Sequence, residues 1–182
     1  MACPPEITVQ NFNASFDMNK KEGDDTSGML KMQGLPWLVR QAASYSAVAI
    51  NLKQFKDDAG VEHLDQEQVS TGGVKQLEPR LLNGEWGERD VQFWGQVKGQ
   101  NKYIKISEID DDFLKQDWLV EGDGEVIWSY TESVKNGWDA TQIWGFATVN
   151  GVRKHVRRII SKKGKESHKI RTVYDYRTTP AA

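Results

Sequence analysis

Cysteine is nearly absent from this chain: Cys3 stands alone, which excludes an internal disulfide framework and a thiolate-rich metal centre. No apolar run approaches the roughly 20 residues needed to span a bilayer, so no stable membrane insertion is expected. No basic n-region followed by an apolar run opens the sequence either, which argues against a secretory signal. Excess positive charge is also missing. A net charge of −2 argues against a general polyanion binder, and no nucleic-acid partner is expected. His63, His155 and His168 share no metal-ligand spacing, and Gly72-Gly73 is followed by no phosphate-loop lysine. Neither a metal nor a cofactor is therefore expected. These absences point to a cytoplasmic protein of one domain, long enough for one proper core and short for two.

What is abundant is aromatic. Seven tryptophans, six phenylalanines and five tyrosines exceed what one small core buries without polar partners, and they suit a cavity or groove. Trp86, Trp94, Trp128, Trp138 and Trp144 read equally as cavity lining and as ordinary core.

Periodicity makes the chain mainly β. Residues 1–6, with Cys3, Pro4 and Pro5, are expected to be flexible. Alternation over 7–16 predicts a first strand. Asp25 or Thr26 is placed to cap a short helix that Gly34 stops, and Pro36 to open a second helix burying Leu38, Ala42 and Tyr45. From residue 46 onward nearly everything reads as strand. Predicted hairpins turn at Asp57-Asp58-Ala59-Gly60, at Lys98-Gly99-Gln100-Asn101 and at Asn150-Gly151. Lys163-Gly164 adds a looser turn, and residues 178–182 form a tail. Acidic residues crowd 107–124, which predicts a long loop or an insertion in a bent strand. About ten strands in sequence should curl and close, because closure removes exposed edges. The predicted fold is a single antiparallel up-and-down β-barrel over 7–177, with a helix-turn-helix lid after the first strand.

A strand, two short helices and an unbroken meander ending in a basic hairpin resemble the intracellular fatty-acid-binding protein family of the calycin (lipocalin-like) group. Met29-Leu30-Lys31-Met32-Gln33-Gly34-Leu35-Pro36-Trp37 is similar to that family's lid. Val156-Arg157-Arg158-Ile159-Ile160 and Arg171-Thr172-Val173-Tyr174-Asp175 are similar to its last two strands. The resemblance implies that Arg157 and Tyr174 hold a ligand carboxylate inside the barrel, and that Met32, Trp37 and Leu38 belong to a portal lid. The second arginine of that clamp does not carry over. Thr172 stands two residues before Tyr174, while Arg171, three away, falls on the opposite face of a regular strand. The chain is also longer than typical members, so it resembles a divergent branch, of the kind found among fungal lipocalin-like proteins.

Two orientations of residues 152–161 stay open. If His155, Arg157 and Ile159 face inward with Ile170, Thr172 and Tyr174, the cavity holds a cation, an imidazole and a phenol. If the strand is flipped, the more apolar Val152, Val156 and Ile160 face inward instead. The first orientation gives a ligand site of Arg157, Tyr174, His155 and Thr172, with Trp94, Trp144 and Trp128 as lining. The leading function is binding of a hydrophobic, anionic small molecule such as a lipid or a polyketide- or terpenoid-like acid. The alternatives are a cofactor-independent isomerase or cyclase using His155, Tyr174 or Asp65 as proton-transfer groups, and a protein-interaction module with a filled barrel. Asp65 alternates with His63 and Glu67, a row that also fits a solvated strand face.

Overall fold

In the computed structural model, which describes residues 1–182, ten antiparallel strands form one sheet rolled into a nearly closed barrel. They are β1 (Ala14–Met18), β2 (Val48–Lys56), β3 (Glu62–Ser70), β4 (Val74–Glu78), β5 (Gly87–Val91), β6 (Gly95–Lys105), β7 (Glu125–Ser133), β8 (Asp139–Val149), β9 (Val152–Lys163) and β10 (Glu166–Arg177). Each pairs with its sequence neighbour except at one place, and β1 pairs with β10 to join the ends of the meander. The exception is a seam between β4 and β5, which share no ladder. Two helices, α1 (Ser27–Met32) and α2 (Trp37–Tyr45), follow β1 as expected, and a third, α3 (Asp112–Lys115), lies in the acidic stretch. No helix is long and apolar enough to cross a membrane.

The last hairpins follow their turn chemistry. Asn150 and Gly151 take φ of 50° and 77°, the left-handed pair that a two-residue turn between Val149 and Val152 requires. The expected turn at Lys98-Gly99-Gln100-Asn101 is not one. β6 runs straight through it, and the hairpin turns earlier, at Phe93 (φ 70°) and Gly95 (φ 74°). Gly99 is there for clearance: a Cβ on it would lie 2.3 Å from the carbonyl oxygen of Tyr130 on β7.

The N-terminus, expected to be loosely attached, instead plugs one end of the barrel. Cys3 is buried and its amide donates to the carbonyl of Arg153. The Arg153 guanidinium donates to the carbonyls of Cys3, Pro4 and Ile7 and pairs with Glu121. Phe12 is fully buried among Phe16, Leu64, Trp144 and Phe146, and its amide donates to Gln54. Burying Phe12 contributes about 2 kcal/mol by area and, with the Arg153 and Gln54 hydrogen bonds, holds a segment whose own backbone bonds are a Pro4–Ile7 turn and the isolated Thr8–Asn11 bridge. Strand β1 accordingly starts at Ala14, later than the alternation suggests. At the other terminus, the Asn51 side chain exchanges hydrogen bonds with the backbone of Ala181.

The acidic stretch solves the orientation of β9. Ile109, Leu114 and Trp118 form a second apolar layer outside the barrel, packed on Val126, Ile143, Val156, Ile160 and Val173. Asp111 caps α3 by accepting from the amides of Phe113 and Leu114, and Trp118 Nε1 donates to the Leu114 carbonyl. Arg158 reaches out of β9 to Asp117 at 2.7 Å. Val156 and Ile160 are apolar because this insertion covers them, leaving the alternate residues free to be polar inside.

Candidate functional site

Between the plug and the two helices lies a cavity of about 670 Å³. Strand alternation sets its lining. On β9 and β10, Arg157 pairs in register with Thr172 and Ile159 with Ile170, and all four side chains line the cavity together with Tyr174. Arg171 and Lys169 are on the outer face, as alternation requires; the Arg171 guanidinium donates to the Glu22 carbonyl. The apolar part of the wall comes from Met29, Val97, Trp94, Trp138, Ile159 and Ile170.

Arg157 is buried and lies over Trp144, with Cζ 3.6 Å from the indole centroid and 4.9 Å from the Tyr174 ring. Its Nε donates to His155 Nε2 at 3.1 Å, while its Nη2 has no partner. Burial pulls the guanidinium down to about 10, with Arg80 adding to the effect, so it stays charged at neutral pH. Thr172 Oγ1 is likewise buried without a partner. The two residues pair in register and both line the cavity, so an acceptor oxygen of a ligand drawn in against them would satisfy both groups.

His155 is a core residue and not part of the lining. It is fully buried, stacked on Tyr174 at 5.0 Å and edge-on to Phe12 at 4.9 Å. Its Nδ1–H donates to the Gly145 carbonyl and its Nε2 lone pair accepts from Arg157. Burial, with Arg157 beside it, holds the imidazole well below the usual histidine range. With both nitrogens engaged, His155 positions Arg157 and is unsuited to abstracting a proton from a ligand.

The tryptophans divide by face. Trp94 and Trp138 line the cavity, and the Trp138 Nε1 has no partner. Trp144, fully buried, underlies Arg157. Trp128 was expected inside but projects outward: its even-numbered neighbours on β7 turn away from Ile127, Ser129 and Thr131, and it stacks on Tyr130 under Lys102. Asp65 also faces out, opposite Lys53, between the inward-facing Leu64 and Gln66. It does not line the cavity, so of the three proton-transfer groups expected, only Tyr174 does.

Helix α1 closes one side of the opening. Met29 and Met32 are buried, and Gln33 latches the end of the helix down: its amide nitrogen donates to Ser161 at 3.0 Å and its oxygen accepts from Trp94 Nε1 at 2.9 Å. Helix α2 differs from expectation. None of its residues is buried; Trp37, Leu38 and Tyr45 are 61%, 72% and 87% exposed, while Arg40 and Ala43 border the cavity. The stripe of Leu38, Ala42 and Tyr45 points away from the barrel, and the more polar face with Arg40 is turned to it instead. Lys20 holds the far end of α2, donating to the carbonyls of Ala43, Ser44 and Ser46.

Two further arginines, which no periodicity in the sequence marks, belong to the site. Arg80, after β4, and Arg89, on β5, line the cavity with Glu78. Arg80 pairs with Glu78 at 2.5 Å, and its Cζ lies 5.0 Å from the Trp144 ring that Arg157 also covers. Burial brings Arg89 down to about 10. Burial pushes the Glu78 carboxyl up, but the guanidiniums of Arg80, Arg89 and Arg157 outweigh it and hold the group below its ordinary range. The sequence signal was slight: Arg89 shares a strand face with Val91, in a segment otherwise too polar to read as wall.

Among solved structures, lipid binding protein 8 of Caenorhabditis elegans shares the fold, with a TM-score of 0.58 and 13% identity over 91% of this chain and 95% of that one. No protein-family model matches the sequence. Two curated proteins do. A probable pericyclase, scpY, of Mollisia scopiformis is 33% identical over 96% of this chain and 94% of its own. The pericyclase pydY of an Acremonium species is 32% identical over 97% of each. The barrel is thus built like a lipid-binding protein, while identity sustained along both sequences makes this chain a member of the family of these fungal pericyclases.

Proposed function

We propose that this protein is a cofactor-independent cyclase of the cytoplasm, which binds a hydrophobic, acidic polyene in the barrel and folds it for pericyclic ring closure. The observation that carries the reading is family membership combined with a cavity of about 670 Å³, apolar toward the lid and cationic in its depth. In such a reaction π bonds are exchanged for new σ bonds within one molecule, so the product is an isomer of the substrate. The protein need only bring the reacting carbons together and stabilise charge shifting toward an oxygen. Arg157 Nη2 and the Thr172 hydroxyl, both unpartnered, suit that oxygen, with Tyr174 beside them. Trp94, Trp138, Met29 and Ile170 suit the chain that must fold.

Incubation with linear polyene acids, followed by chromatography and mass spectrometry, tests the reading. The expected product has unchanged mass and an altered retention time, forms faster than without protein, and is lost with Arg157→Ala. Recovery of every substrate unchanged would favour the second reading, a carrier, which the likeness to a lipid-binding barrel supports.

A further inference from the structure

The barrel seam and the three arginines coincide. β4 and β5 are the two unpaired edges of the sheet; Glu78 ends one, Arg80 follows it, and Arg89 lies on the other. Past β4 the chain returns to β3, where Arg80 and Leu64 exchange backbone hydrogen bonds at 2.8 and 3.2 Å, so Arg80 is fixed to that side. Arg89 is fixed to the other by the β5–β6 ladder, with a long contact of 3.5 Å to the Thr131 hydroxyl. Arg157 stands on the wall formed by β9.

Each guanidinium has a buried nitrogen with no acceptor: Nε of Arg80, Nε of Arg89 and Nη2 of Arg157. Against three positive charges this end of the cavity supplies one carboxylate, Glu78. Asp24 and Asp25, which also border the cavity, are engaged elsewhere, with the Arg171 amide and with Ser27. A cluster serving only to knit the fold would have its donors satisfied, since a buried unpaired donor costs stability. Here three buried donors, on side chains from three separate parts of the sheet that line one cavity, are left without acceptors.

We propose that Arg80, Arg89 and Arg157 form a three-armed seat for the anionic head of the ligand, and that the head bridges the open seam between β4 and β5. The inference rests on the reading that the cavity holds the ligand, and it names the ligand class. The ligand is an amphipathic anion whose head presents acceptor oxygens in several directions and whose apolar body runs toward Met29, Trp94 and Trp138. Because Arg80 and Arg89 sit on opposite sides of the seam, one bound head ties together strands that no backbone hydrogen bond joins.

Dodecanoate, dodecyl phosphate and dodecan-1-ol serve as probes with one tail and different heads. Calorimetric titration of the wild-type chain is expected to give at least tenfold tighter binding for an anion than for the alcohol, and the better of the two anions identifies the head chemistry. Arg89→Gln is expected to weaken that anion about tenfold and the alcohol less than twofold, with Arg89→Lys recovering part of the loss. Hydrogen exchange on the wild-type chain should show residues 74–78 and 87–91 slowed by the anion and not by the alcohol. Equal binding of anions and alcohol, parallel loss of both in Arg89→Gln, or unchanged seam exchange would each overturn the proposal. Failure to cyclise any polyene while these results hold would remove the cyclase reading and leave the seat standing. Cyclisation with indifference to the head would do the reverse.

Discussion

Arg157→Met should make the empty protein more stable while depriving it of its acidic ligands. The guanidinium is fully buried, and its fall to about 10 means that the charged form is disfavoured in the fold by roughly 3 kcal/mol at neutral pH. Methionine removes that penalty, the repulsion from Arg80 included, and still covers the Trp144 face with a polarizable side chain. Against the gain stand the lost hydrogen bond to His155 Nε2, about 1–2 kcal/mol with that acceptor left dry, and a lost cation–π contact of about 0.5–1 kcal/mol. The balance is a gain of about 1 kcal/mol, or about 3 °C in Tm for a chain of this length. Thermal unfolding followed by tryptophan fluorescence, with and without dodecanoate, reads both effects. Wild type should gain Tm from dodecanoate and the variant should not. A variant that melts below wild type without ligand would show that Arg157 supports the fold, and would refute the view that its charge is held in reserve for a ligand.

Three other perturbations separate the parts of the molecule. His155 is held neutral in the fold, so an unfolded chain binds the extra proton; stability is complete above about pH 6.5 and declines as the pH falls below it. Urea midpoints at pH 7.5 and 5.5 should differ more in wild type than in His155→Gln, and equal differences would argue against a buried neutral imidazole. Trp118→Ala removes the centre of the outer layer and should cost about 3–5 kcal/mol in urea unfolding while leaving dodecanoate affinity within twofold, since Trp118 never reaches the cavity. Gln33→Ala unlatches α1 from Ser161 and Trp94; stopped-flow fluorescence should show ligand release about tenfold faster, and an unchanged rate would exclude α1 as the gate.

How much of this was legible in the sequence depended on whether a residue had one physical use or two. Asn150-Gly151 has one: both residues take left-handed conformations, and the turn fell where expected. Gly99 has two, turn or clearance, and nothing local shows that Tyr130 lies across from it. The alternation of β9 was plain, but its inward face was not. Val156 and Ile160 look like core, and become outer surface only once the insertion carrying Trp118 is seen to cover them. Arg157, Thr172 and Tyr174 could be placed on one face because two long strands with clear periodicity carry them. Arg80 and Arg89 could not, because short polar edge strands give no alternation to follow and the arginines meet only through closure of the barrel. The N-terminal plug was missed for a related reason: three or four apolar residues make no pattern, yet suffice when a barrel end waits to be filled.

The outer layer over β8, β9 and β10 makes the barrel mechanically lopsided. That wall is clamped on both faces, by the plug and cavity lining within and by Trp118, Leu114 and Ile109 without, so it resists deformation. The opposite wall, where β4 and β5 end without a ladder, has no such backing and is the compliant side. A new cargo shape would therefore be accommodated by movement and substitution around β4 and β5, at little cost in stability, while Arg157 and Tyr174 stay fixed. Chemical diversity among related barrels should accumulate on the soft side.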